Sequence, residues 1–375
     1  MFKNHWLATV ALIAMSQFHA SAAQAYSACI SSNVALGAAI DYLWAHRPLD
    51  EDIDIRVRPG TYFWPSHPNS ATNAMLLVNF ETRLPTNSAS YHFRLSGGWN
   101  AGCTQQALPG GPASIIDGAN SRSPLVIRLE RPGPNFTENP TGTITIDNIH
   151  FYRYADSAVS IQWSEASTTI HHARFSYGAG AAIRNFPNGG LFLHNSLFEQ
   201  NINDPGISLV DVSSEENVVV ANNTFRGNTL QGFPPQPTLA VGLVKLGERA
   251  GAPGVPGFAT FENNIMRDNV FCEPTCGEVV TDINARLQNN IFSSRVLGTP
   301  LLISDNYNID PSFAFVIGVV LRPNSLARDL GNNSTMAGIS RDYEGRTRLQ
   351  NAVVDIGAYE LSPQPADALF ANGYE

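Results

Sequence analysis

Leu191-Phe192-Leu193-His194-Asn195-Ser196-Leu197-Phe198 is one copy of a pattern that occurs six times over residues 143–292: an apolar alternation, a polar residue that is usually Asn, and an aromatic three places on. Set in register, Asn148, His172, Asn195, Asn222, Asn263 and Asn289 form one column, and Phe151, Phe175, Phe198, Phe225, Met266 and Phe292 form a second. The residue two before each polar position is apolar throughout: Ile146, Ile170, Leu193, Val220, Phe261 and Leu287. Successive copies lie 24, 23, 27, 41 and 26 residues apart. Four of the five steps are shorter than the roughly 30 residues of a βαβ unit, and no helical period recurs between them. An all-β fold satisfies this, a single-stranded right-handed parallel β-helix whose rungs stack about 4.8 Å apart. An inward Asn in such a coil accepts from one rung and donates to the next, where an unpaired amide would cost about 1–3 kcal/mol. Phe rings at that step fall within the range of about 4.5–7 Å for favourable stacking. Both columns are therefore expected inside, with the six Asn-type residues forming a structural ladder.

The chain has 375 residues, 43% hydrophobic and 15% charged, which is ample for a core, and a solenoid can grow to this length as one domain. Its 30 Gly and 24 Pro are spread as turn punctuation. A net charge of −9 argues against a nucleic-acid partner. Residues 1–25 read as a signal peptide: Lys3, an apolar run over residues 6–15, and Ala23-Gln24-Ala25 as a small-residue cleavage site. That run is too short to span a bilayer, which takes about 20 residues, so no membrane span is expected. Four cysteines in an exported chain read as two disulfides, Cys272 with Cys276 closing a local loop and Cys29 with Cys103 tying the amino-terminal region to the coil. No second compact ligand cluster accompanies them, so no metal and no cofactor are expected.

Along the chain, Ser32 or Asn33 caps a helix over residues 34–45 whose Leu36, Ile40, Leu43 and Trp44 make an apolar face able to cover the open end of the coil. Residues 26–60 hold this cap helix and the first strand, residues 61–320 the rungs, residues 321–361 a C-terminal cap, and residues 362–375 a linker and tail. The acidic run Asp50, Glu51, Asp52 and Asp54 reads as a solvated turn before a strand. Arg58-Pro59-Gly60-Thr61-Tyr62, Gly97-Gly98-Trp99 with Cys103 behind it, and Ile115-Ile116-Asp117-Gly118 resemble the opening rungs of bacterial right-handed parallel β-helix proteins. Arg328-Asp329-Leu330-Gly331, residues 342–348 and residues 354–360 resemble the ending of the choice-of-anchor Q domain family, with Leu330 where a small residue is more usual. That resemblance implies a secreted or surface-held β-helix, and it carries no assigned reaction. Asp342, Arg346, Arg348, Asp355 and Glu360 are expected to pair over the last rung and protect its edge. Residues 369–375 resemble a C-terminal ending of exported Gram-negative proteins, with Tyr374 in place of Phe, which implies a signal read by sorting or secretion machinery and an extracellular or cell-surface location in a Gram-negative bacterium.

Two functional classes remain open. In the first, the solenoid contacts a polysaccharide or cell-surface glycan without catalysis. In the second, it is a polysaccharide lyase or hydrolase acting on an acidic polysaccharide at an edge where loops 229–238 and 269–277 grow, with a further excursion, 248–257, at the far end of the strand over residues 241–246; only here would calcium enter. Arg226 and Arg267 follow the inward aromatic column on successive rungs and are expected to project outward at that edge, with Lys245 as a third cation for a uronate or sulfate. Local pairing with Glu199 and Asp268 is the competing role for the two arginines. The pair His171-His172 is assigned a structural role, His172 in the ladder and His171 outside. Catalytic residues are not identified. The acid clusters of polygalacturonase-like coils and the Trp-x-Asp-His strand of pectate-lyase-like ones are absent, since Ser164 and Glu165 follow Trp163.

Overall fold

A computed structural model describes residues 25–362 apart from 48, 50, 66–72, 82–89, 131–140, 163–165, 186–189, 214–216, 232–239, 248–257, 273–275, 282, 294, 315–318 and 337. The expected signal peptide up to residue 24, the expected sorting tail, loop 248–257 and most of loop 229–238 lie outside the described residues.

The chain is a parallel β-helix of three sheets. Sheet A has ten strands, from Tyr26–Ile30 at one end to Leu302–Ser304 at the other; sheet B has eight and sheet C seven. Seven rungs run from sheet A through a three- or four-residue strand of sheet C to sheet B, as in Leu191–His194, Leu197–Glu199 and Val210–Ser213. Apolar side chains alternate inward along sheet A, and Ile144, Ile146, Ile170, Leu193, Val220 and Phe261 are fully buried. Phe151, Phe175, Phe198 and Phe225 stack inside with ring centroids 5.2, 4.8 and 4.4 Å apart. The one α-helix among the described residues, Asn33–Ala45, packs over the first rung with Leu36, Ala39, Ile40 and Leu43 buried, and Ser32 caps it by accepting from the Ala35 amide at 3.2 Å. Among the described residues no helix is long and apolar enough to cross a membrane.

The polar ladder lies one residue beyond its expected column. Asn148, His172, Asn195, Asn222, Asn263 and Asn289 all occupy the corner between sheets A and C with left-handed backbone, φ 48–56°. Asn tolerates that region better than most residues. The corner breaks the strand alternation, turning its own side chain out of the coil and the next residue's in. Asn223, Asn264, Asn290 and Asn306 therefore form the ladder, with amide-to-carbonyl hydrogen bonds of 3.0, 3.1 and 2.9 Å between successive rungs. The second corner, after sheet C, repeats the device. Gln200, Gly227 and Asp268 are left-handed there, and Asn201, Asn228 and Asn269 follow as a second ladder with links of 2.9 and 3.0 Å.

Residues 319–361 are not stacked on the last rung as a cap. They run back along the coil as a strap over the outer face of sheet C and its corner with sheet A. The outward corner residues bind it: Asn289 donates to the Leu330 carbonyl (3.4 Å), Asn263 to that of Asn332 (2.8 Å) and Asn195 to that of Arg341 (2.5 Å). Arg348, fully buried, donates to Asn222 Oδ1 (2.9 Å) and to the carbonyls of Asp355 and Gly357. Ala358 and Tyr359 pack on Leu197, and Ile356 on Ile265. The terminal charges thus pair over the middle of the coil. Asp342 and Asp355 each accept backbone N–H bonds on both oxygens, whereas Glu360 accepts the Asp355 N–H on Oε2 (3.1 Å), which lies 3.8 Å from Arg348, and its Oε1 has no partner. One guanidinium facing three buried carboxylates leaves two in excess, and Glu360 is the worst solvated of the three. Burial, partly offset by Arg348, pushes its carboxyl up to about 8.

Replacing Asn264 by Leu should lower the unfolding free energy in urea by at least about 2 kcal/mol, because the amides of Asn223 and Asn290 each lose a partner; an unchanged midpoint would refute the ladder. Glu360 supplies a pH test. Between its ordinary value of 4.5 and about 8 the folded chain holds a proton that the unfolded chain has lost, so stability from this group is complete below pH 4.5 and falls as pH rises to about 8. The slope is at most about 1.4 kcal/mol per pH unit. Glu360→Gln should flatten that decline relative to wild type in melting curves from pH 5 to 8.5.

Candidate functional site

On the outer face of sheet A, the last outward position of three successive strands carries Asp147, His171 and His194, in register. His172 follows at the corner, so the outward turn of its side chain sets it beside His171 and Asp147. The converging atoms are Asp147 Oδ1 and the two Nδ1 atoms: His171 to His172 is 2.9 Å, His171 to Asp147 3.1 Å and His172 to Asp147 3.2 Å. His194 stacks on His171 with centroids 5.1 Å apart and planes within 2°, and Phe192 packs against His194 at 4.4 Å.

Two segments wall this cluster into a cavity of about 430 Å³: residues 106–109 on one side and residues 338–341 of the strap on the other. The first wall is anchored at its base. Cys103 is disulfide-linked to Cys29 with Cα atoms 5.9 Å apart, Arg56 donates to the Cys103 carbonyl at 3.0 Å, and Trp99 lies buried beneath the guanidiniums of Arg56 and Arg94. Gln106 projects from this wall. Its Oε1 accepts from Arg94 (2.9 Å) and its Nε2 donates to Asp147 Oδ2 (2.7 Å) and to the Gly97 carbonyl (3.0 Å), which leaves Asp147 Oδ1 facing the histidines. The two walls meet at Gly110 and Gly345, both at positive φ; a Cβ on Gly110 would fall 2.6 Å from the Glu344 carbonyl oxygen, and one on Gly345 2.6 Å from that of Pro109.

Burial pushes the His171 imidazole down to about 4 against the opposing pull of Asp147, and it holds His194 well below its ordinary value. Burial raises the Asp147 carboxyl, but the hydrogen bond with His172 and the charges of both histidines outweigh it and hold Asp147 below its ordinary value. At neutral pH the cluster therefore presents a carboxylate beside the uncharged imidazoles of His171 and His194. His194 Nδ1 and His172 Nε2 are buried without hydrogen-bond partners.

The residues singled out for glycan contact are not gathered here. Arg226 and Arg267 do lie side by side on sheet C. Arg226, however, is only 8% exposed, paired with Asp268 at 2.8 Å and set against the Phe313 ring at 3.9 Å, so it does not project into water. The physical reason is the chain that follows the last rung, which folds back over sheet C. Arg267 donates to Asn308 Oδ1 at 3.0 Å, and Lys245 stands on sheet B opposite Asp211. Cys272 and Cys276 form the second disulfide, with Cα atoms 5.2 Å apart. Asp147, His194 and Gln106 were missed by the sequence reading. A signal existed for two of them, because Asp147, His171 and His194 occupy equivalent places on successive repeats. Comparison of the chain with protein-family models, with curated proteins and with solved structures found no match.

Replacing Gly345 by Val should part the strap from residues 108–110. Amide hydrogen exchange is expected to rise at least about tenfold over residues 338–345, with sheet A amides unchanged; equal protection in both proteins would show that this contact does not hold the wall.

Proposed function

We propose that this chain is an exported β-helix protein that holds a glycan on the outer face of sheet A, in the cavity between residues 106–109 and the strap. The observation that carries the proposal is the cavity itself, since its volume falls in the range of about 300–1,000 Å³ usual for ligand sites. Its lining mixes the apolar faces of Phe192, Leu108 and Ile339 with the polar groups of Thr169, Gln106 and the histidines. A sugar offers the same mixture, an apolar C–H face and polar hydroxyl edges. Beside the cavity, Thr145 aligns with Thr169 and Thr143 with Ser167, so hydroxyls repeat along the coil as they do along a polysaccharide. These features support a contact on sheet A, in preference to one at Arg226, Arg267 and Lys245. Two disulfides suit an oxidising compartment outside the cytoplasm. The resemblance of the C-terminal blocks to choice-of-anchor Q domains supports a surface-held protein, with the tail as its sorting signal.

The contact of His171 with Asp147 at 3.1 Å favours a second reading, a lyase or hydrolase at the same cavity, because a carboxylate that orients an imidazole is the arrangement of a general base. One experiment separates the two. Neutral, uronate and sulfated oligosaccharides are titrated calorimetrically into wild type and Phe192→Ala, and the mixtures are followed for unsaturated or reducing-end products. Binding weakened about tenfold or more by the substitution, without product, supports the first reading; product formation supports the second; equal affinities in both proteins would remove the cavity as the site.

A further inference from the structure

We infer that Asp147, His171 and His172 bind a divalent transition-metal ion through Oδ1 and the two Nδ1 atoms. Metal–ligand bonds of about 2.0–2.2 Å put neighbouring donors about 3.0 Å apart at right angles and about 3.4 Å apart at tetrahedral angles. The three edges of this triangle, 2.9, 3.1 and 3.2 Å, have that length. Protons alone do not satisfy it. If both imidazoles donate from Nδ1 to Asp147, their two N–H groups face each other across 2.9 Å; if one donates to the other, the acceptor turns a lone pair on the carboxylate. Every arrangement of protons leaves one edge with like ends, and a cation between the three atoms satisfies all of them.

The surroundings are those of a built site. Gln106, itself held by Arg94, fixes the free oxygen of Asp147; His194 braces His171 by stacking; the left-handed corner fixes His172. Two imidazoles and one carboxylate suit zinc, iron(II) or another first-row ion, whereas calcium and magnesium prefer all-oxygen shells. The donors line the cavity, so further coordination positions are open to water or to an oxygen of a bound molecule. This inference goes beyond the glycan reading and stands without it, because the ion needs no glycan to bind.

The test uses the full-length mature protein, free of any purification tag and stripped with chelator, titrated with cobalt(II) and zinc(II) alone. Wild type should take up one equivalent, with visible cobalt absorption that zinc abolishes and a rise in melting temperature. Asp147→Asn, close to isosteric, should bind at least about 100-fold more weakly, and Gln106→Ala about 10- to 100-fold more weakly by disorienting the carboxylate. Both should melt near metal-free wild type, which separates loss of the ion from loss of the fold. Well under one equivalent in wild type, or wild-type affinity in Asp147→Asn, would overturn the inference. Oligosaccharide titrations with and without metal report on the glycan reading separately, so either can fail alone.

Discussion

The left-handed corner between sheets A and C is the constraint on which the other features of this chain depend. A parallel coil must change direction between one sheet and the next, and with a single turning residue the cheapest way is φ near +50°, which Asn tolerates. Once the corner is made, its side chain points out and its successor's points in. The inward successors become the ladder that links the rungs, and the outward corner residues become a row of hydrogen-bonding groups along the outside of the coil. That row is what the strap binds: Asn195, Asn222, Asn263 and Asn289 each meet a strap residue. Where the corner residue is His172 instead of Asn, the same outward turn delivers an imidazole to the side of His171 and Asp147. Interior order, strap and candidate site are three consequences of one backbone conformation.

The legible part of the sequence was the part with a period. The Phe column and the apolar alternation of sheet A repeat at the rung step, and local rules suffice for them, because a side chain stacked on its own kind needs only the repeat length to be placed. The ladder was displaced by one residue for a local reason as well. Asn-Asn doublets at residues 222–223, 263–264 and 289–290 offer two candidates per rung, and chain spacing alone does not separate the member that turns from the member that points inward. The backbone decides, since only the first of each pair can serve as the left-handed corner while the strand before it keeps its alternation.

The site was illegible for a different reason. Asp147 and His171 are adjacent across rungs but 24 residues apart in the chain, and Gln106 arrives from a loop that the Cys29–Cys103 link and Arg56 hold in place. The repeat step sets Asp147, His171 and His194 in one column, each just before its corner residue, but no spacing in the sequence announces the arrival of Gln106 or of the strap. The arginines went astray in a complementary way: the repeat correctly sets Arg226 and Arg267 on neighbouring rungs, but whether an outward residue meets water depends on what folds over it. The aperiodic residues beyond the last rung do that, and their path along the coil is written in no repeat.

That path links stability to the site. The strap is held at mid-length by Arg348, whose guanidinium lies fully buried among Asn222 and two backbone carbonyls while its attraction to Glu360 acts across 3.8 Å. Removing a charge so deeply from water costs several kcal/mol, and a buried pair recovers this only with good geometry. A more stable strap would place an apolar side chain there. An apolar side chain, however, would leave the Asn222 side-chain oxygen and the Asp355 and Gly357 carbonyls without this donor. The buried guanidinium ties the strap's own turn to one corner residue, and the close approach of Gly345 to Pro109 fixes which rung that is. Register is what the cavity requires: a slip by one rung, about 4.8 Å, would carry residues 338–341 away from His171 and His194 and leave Gly345 facing something other than Pro109. On this account the charge in the strap is retained for alignment, and it is the alignment that gives the outer face of a repetitive coil one unique place for chemistry.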